Sequence, residues 1–245
     1  MRKAASIAAA LLIFVLFQAD AAFAQDVSLS IGNDESLTAR SIQLFLLITI
    51  LSLAPGIAIM VTCFPFIVTV LSILRQAIGL QQSPPNMMMV SLAMFLTYYV
   101  MEPVFMQAWT TGVQPLLDEL IDIETAFQRT TEPFRLFMSS RLDPDTFLHL
   151  AALRPDTAQV APGPDAPLSV LVPSFMLSEI ARAFQIGFLI FLPFLIIDLV
   201  VAAVLMSMGM MMVPPAIVSL PFKLSFFVIA DGWSLIAGSL VRSYF

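Results

Sequence analysis

A single cysteine, Cys63, and a single histidine, His149, leave this chain no means of forming an intrachain disulfide or a His/Cys metal cluster. The two lie far apart on different segments, so they make no nucleophile pair either, and Cys63 in its apolar setting reads as a small packing residue. Charge is scarce as well. Only 11% of the 245 residues are charged, and the net charge of −6 lacks the basic stripe of a nucleic-acid binder. There is no Gly-rich phosphate loop, and no Ser–His, Asp–Asp or His-Glu-x-x-His arrangement. The sequence therefore predicts no enzymatic activity, no metal and no cofactor.

What fills the chain instead is apolar. Hydrophobic residues make up 59% of it, and the mean hydropathy is +0.94. A soluble domain of this size cannot hide so much apolar surface, so a bilayer or a large hydrophobic assembly must cover the excess. Arg2 and Lys3 precede the run "AASIAAALLIFVLF", and Ala22 and Ala24, on either side of Phe23, offer small residues at signal-peptidase spacing. Residues 1–24 are read as a cleavable signal, with cleavage after Ala24 leaving Gln25 outside the inner membrane. A retained first membrane helix is the alternative, though the run is short for a span of about 20 residues.

A short polar extracytoplasmic stretch, residues 25–41, comes next. From Ser41 to Leu74 no side chain is charged, and Pro55 and Pro65 are expected to kink this run. "GLQQSPPN" (Gly79 to Asn86) reads as a turn, after which Met87 to Met106 returns with Glu102 near its far end. Residues 42–109 thus form a first helical hairpin. Residues 110–172 change character, with nine acidic residues against four arginines between Gly112 and Val172. Apolar spacing there predicts one or two amphipathic helices, and "RPDTAQVAPGPDAP" a solvated, partly mobile loop. Residues 173–245 form a second hairpin turning at "GMMMVPP". The fold class is all-α: an integral membrane protein of two long kinked helical hairpins joined by an acidic, partly helical extracytoplasmic segment. Both turns are placed inside, which the positive-inside rule supports only weakly, since Arg75 falls inside but Arg40 and Arg242 outside.

Glu179, Arg182, Asp198, Lys223 and Asp231 interrupt the second hairpin. Charges at membrane depth are costly, so they pair, face water or lie at subunit contacts, and all five are expected to be buried. Glu179 and Arg182 are spaced to pair on one helix face. Folding the hairpin about Met212 and Val213 sets Lys223 level with Ala202. Asp198 is then one turn away, about 6 Å along the axis, which predicts an Asp198–Lys223 contact within or between chains. Whether these charges only hold helices in register or take part in conduction stays open. At the bend itself, Gly209 permits a tight backbone while Pro214 and Pro215 end the helix and stiffen the exit. Met210, Met211 and Met212 are unbranched and polarisable. A ring of such loops would make an apolar constriction that deforms around varied cargo, while core packing is the competing reading.

"AFQIGFLIFLPFLIIDLVVAAVLMSMGMMMVPP", followed by "LPFKL" and Asp231-Gly232-Trp233, resembles the FliP family of flagellar type III export-gate proteins. "LSILRQAIG" and Pro84-Pro85-Asn86 fit the same family. The signal and the length resemble flagellar members more than the shorter virulence-secretion relatives. One departure stands out: members usually show a basic "F-T-R-I" where this chain has Phe64-Pro65-Phe66-Ile67. The resemblance implies a homo-oligomer in the bacterial inner membrane, joined to FliQ-like and FliR-like subunits within the flagellar basal-body ring and drawn up out of the membrane plane. It implies a methionine gasket at Met210, Met211 and Met212, with unfolded exported flagellar proteins as cargo, moved by an ATPase and a proton motive force supplied elsewhere. The alternatives are a small-solute or proton-coupled transporter using Asp198 and Lys223, or the equivalent gate subunit of a virulence secretion system.

Overall fold

The computed structural model describes residues 37–79, 84–210 and 212–245. The chain divides into two compact units, residues 1–51 and 52–245. Among the described residues every regular element is helical. Helix α1 (Leu37–Met60) continues through Pro55, and its described side chains are exposed, Phe45 by 73% and Leu51 by 70%. A turn at Val61 to Cys63 then separates it from α2 (Phe64–Ile78). The kink expected at Pro65 is instead a helix start. A proline in the first turn gives up no hydrogen bond, because that N–H has no partner in the helix anyway.

Helix α2 ends at Gly79 in the left-handed region, its N–H donating to the Gln76 carbonyl. The turn expected over Gly79 to Asn86 falls partly outside the described residues. Helix α3 (Asn86–Ala108) runs through one π-helical turn (Trp109–Val113) into the short α4 (Gln114–Leu117). The acidic segment carries α5 (Ile123–Arg141) and α6 (Pro144–Ala152). Its Pro-rich stretch is irregular and largely exposed, with hydrogen bonds that tie it to α5 and α6. Arg135 donates to the Pro164 and Ala166 carbonyls at 3.0 and 2.9 Å, and buried Thr157 donates to the Ala151 carbonyl at 2.9 Å.

Asp143 caps α6, accepting the Thr146 amide at 2.9 Å and the Thr146 hydroxyl at 2.6 Å. These donors favour the carboxylate and hold its pKa below the usual aspartate value. A depressed pKa contributes stability at pH values above the unfolded-state value and loses it as pH falls through the folded one. Residues 144–152 are therefore expected to fray first as pH drops below about 4. Asp143→Asn should remove that pH dependence; amide exchange in this helix, followed between neutral pH and pH 3, checks it.

Helix α7 (Leu168–Ser207) is 40 residues long and passes through Pro173 and Pro193. It begins before residue 173, so the boundary expected between acidic segment and second hairpin lies inside its first turns. Its early residues Val170, Leu171 and Phe175 pack with Met138 and Phe147 in one buried cluster. Farther along, Ala183 and Phe194 join a second cluster with Phe66, Val70 and Leu74 of α2. The descending arm is not one helix. Helix α8 (Pro215–Ile229) stops, Asp231 takes a φ of 47°, and α9 (Gly232–Arg242) leaves at 61°. Trp233 meets Phe227 edge-on at 5.3 Å and holds the start of α9 against α8.

Three described helical stretches are long and apolar enough to cross a membrane: Ser41–Met60, Asn86–Leu117 and Leu168–Ser207. The bent α8–α9 pair makes a fourth if it is one broken span.

Candidate functional site

The tip of the second hairpin is built from backbone geometry first. Helix α7 closes with the Gly209 N–H donating to the Met206 carbonyl and the Met210 N–H to the Leu205 carbonyl, both at 3.0 Å. Gly209 has a φ of 75°, left-handed backbone that a residue with a Cβ adopts only at a cost. Pro214 then precedes α8 and Pro215 opens it, where a missing N–H and a preset φ suit a helix start. Between them Met210 is 38% exposed and Met212 97%. Met211 lies outside the described residues, as does Ala24. Below the tip, an apolar cleft of about 590 Å³ runs between α7 and α8, lined by residues including Val200, Val204, Met208, Met210 and Phe222.

One polar joint lies deeper in the same hairpin. The Lys223 ammonium donates to Asp198 Oδ2 at 2.6 Å, the contact that folding the hairpin about Met212 and Val213 predicts, and here it forms within one chain. It also donates to the Ala77 carbonyl at 3.1 Å, at the end of α2, while the Ser219 hydroxyl donates to Asp198 Oδ1 at 2.6 Å. The lysine side chain is 7% exposed and the aspartate 35%. Asp198 and Lys223 border a cleft of about 820 Å³ whose wall also holds Ser72, Arg75, Gln76 and Asn86. Arg75 donates to the Asn86 side chain across it.

The second charge cluster centres on Glu179, whose side chain is fully buried. The expected Glu179–Arg182 pair is present at 3.4 Å, but Arg141 of α5 is closer at 3.0 Å, and the Tyr244 hydroxyl donates to the same carboxylate. The five charges of the second hairpin thus differ. Glu179 and Lys223 are buried, Arg182 and Asp198 are part-exposed, and Asp231 is exposed. Burial fails for Asp231 because it occupies the turn between α8 and α9 rather than a helix interior. Sequence reasoning missed Ser219 and Arg141 as partners. Ser219 could have been found, since it lies four residues before Lys223 on one helix face. Nothing in the local pattern marks Arg141.

The Phe64-Pro65-Phe66-Ile67 departure has a plain structural setting. Phe66 is fully buried, meets the Tyr244 ring edge-on at 5.6 Å, and lies 5.9 Å from the Arg141 guanidinium carbon. Cys63 is fully buried, with its sulfur 3.9 Å from the Thr97 carbonyl. Among the described residues, no group of three or more His, Cys, Asp or Glu side chains could hold a metal ion.

Long apolar helices, charges paired between helices and a methionine-bearing hairpin tip define a helical integral membrane protein. The chain belongs to the FliP family, whose model matches residues 47–240. It is 51% identical over 249 residues to the flagellar biosynthetic protein FliP of Caulobacter vibrioides, covering 100% of this chain and 92% of that one. The FliP proteins of Agrobacterium fabrum and Bacillus subtilis are 54% identical over 212 residues and 45% over 217. These alignments cover 86% of each chain for the first, and 87% of this chain and 96% of its relative for the second. It is a membrane component of flagellar biosynthesis and export, and not an enzyme.

Proposed function

We propose that copies of this chain, with FliQ-like and FliR-like subunits in the flagellar basal body of the inner membrane, form the gate through which unfolded flagellar proteins leave the cell. Second-hairpin tips from adjacent copies meet around a shared axis, and Met210, Met211 and Met212 close the hole between them. The observation that carries this reading is the exposure of Met212, 97%, close to the part-exposed Met210 at the turn of the second hairpin. Core packing, the competing use of methionine, does not account for a side chain with so little of its surface covered. Thioethers suit a seal that must yield to different peptides, because they are apolar yet hold no single rotamer.

Replacing Met210, Met211 and Met212 together with alanine removes the bulk and keeps the backbone turn. Cells carrying that variant are expected to leak ions and small solutes while still exporting some flagellar protein. A permeability equal to wild type, with the variant protein present in the membrane, argues against the seal. The cleft beside Asp198 and Lys223 favours a second reading, a small-solute or proton-coupled transporter. Purification decides between them: a ring of several copies with other gate subunits excludes a transporter that works as a monomer.

A further inference from the structure

Tyr244 lies just past α9 and touches three other helices. Its ring stacks on Phe137 of α5 with centroids 6.0 Å apart and planes 16° apart, and meets Phe66 of α2 edge-on. The Arg141 guanidinium carbon lies 4.1 Å from the ring centroid, and the tyrosine hydroxyl donates to Glu179 of α7. Arg141 closes the circuit. It is the last residue of α5, and it donates to the Ser243 carbonyl at 2.7 Å and to Glu179 at 3.0 Å.

These contacts depend on one another. The buried Glu179 carboxylate needs its donors, because a charge left alone away from water is strongly unfavourable. Arg141, 15% exposed, is one of those donors, and the tyrosine ring covers its face. Phe137, beneath the same ring, packs against both buried clusters and so stands at their junction. Withdrawing Tyr244 therefore uncovers Arg141, removes one donor from Glu179 and opens the seam between the clusters together. Burial and the adjoining carboxylate both push the Tyr244 phenol up, so it stays protonated and keeps its donor role.

From this geometry we infer that Tyr244 is a latch, which holds the C-terminal end of α5 in place only once the residues after α9 have docked. The coupling works within one chain and stands whether or not copies assemble into a gate.

Trypsin acting on the full-length chain in detergent tests it. The Arg141–Leu142 bond is cleavable, whereas Arg154 precedes Pro155 and resists. Tyr244→Ala is expected to speed scission after Arg141 by about tenfold or more, while scission after the buried Lys223 keeps its wild-type rate. Tyr244→Phe, which keeps the ring and loses only the hydroxyl, should give a smaller increase than Tyr244→Ala. Unchanged scission after Arg141 in Tyr244→Ala overturns the latch, and so does a rise matched after Lys223, which reports general unfolding. If Tyr244→Ala does not accumulate, amide exchange in the wild-type chain decides. Residues 138–142 and 240–244 should then open together, and protection of the first more than about tenfold above the second overturns the latch.

Discussion

Asp198→Leu is expected to destabilise the chain by about 3–5 kcal/mol, the usual cost of stranding a buried charge. The variant leaves Lys223, 7% exposed, with the Ala77 carbonyl as its remaining partner in the joint and little access to water. Lys223→Met should cost less, because Asp198 is 35% exposed and keeps the Ser219 hydroxyl. Changing both residues together should restore much of the loss, since no charge is then stranded. Thermal unfolding in detergent and the amount of chain reaching the membrane measure all three variants. If the double variant is as unstable as the sum of the singles, the two residues do not act as a pair. The order of the singles carries its own information. A transport role predicts that loss follows the chemistry removed, whereas a structural joint predicts that it follows burial.

Gly112→Ala is expected to be nearly as damaging, for a steric reason. A Cβ at 112 would lie 2.1 Å from Thr130 Oγ1, 2.7 Å from the Thr130 nitrogen and 2.9 Å from its Cα. A side chain can swing away from such an overlap, but backbone atoms move only if α5 parts from the π-helical turn. The cost should reach about 3 kcal/mol, the upper end of ordinary overpacking. Thr130→Ala, which removes the hydroxyl, should not rescue it, because the nitrogen and Cα remain. Gly56→Ala is the matched control. A Cβ there meets nothing within 4 Å, so the change should gain up to about 1 kcal/mol of helix propensity. Equal melting temperatures for Gly112→Ala and wild type would show that the close approach is not required.

The parts of the fold legible in advance are those set by neighbours along the chain. The Glu179–Arg182 pair is three residues apart, and the Asp198–Lys223 contact needs only the rise of a helix and the position of a turn. Prolines were less transparent. Pro65 stops nothing because it opens α2, and Pro55, Pro173 and Pro193 lie within helices, so the residue type alone does not separate a kink from a start. The bend at Asp231 was hidden because "FFVIADGWSLI" is apolar enough to read as one uninterrupted arm. Its break depends on a single residue taking a φ of 47°.

By itself, the sequence determined the class of protein and its likeness to a family: hydropathy sets the solvent, and the second-hairpin motif is specific in its order of residues. Where the methionine tip falls follows from the same local signals, since glycine and proline restrict backbone wherever they stand. Only the tertiary structure decided which partners close the charges. Arg141 reaches Ser243 across 102 residues, and Lys223 reaches the Ala77 carbonyl across 146. Contacts that distant leave no periodic trace in a chain. They exist because helices of fixed geometry pack in one arrangement, and each buried charge in it must find whichever partner that packing brings within reach.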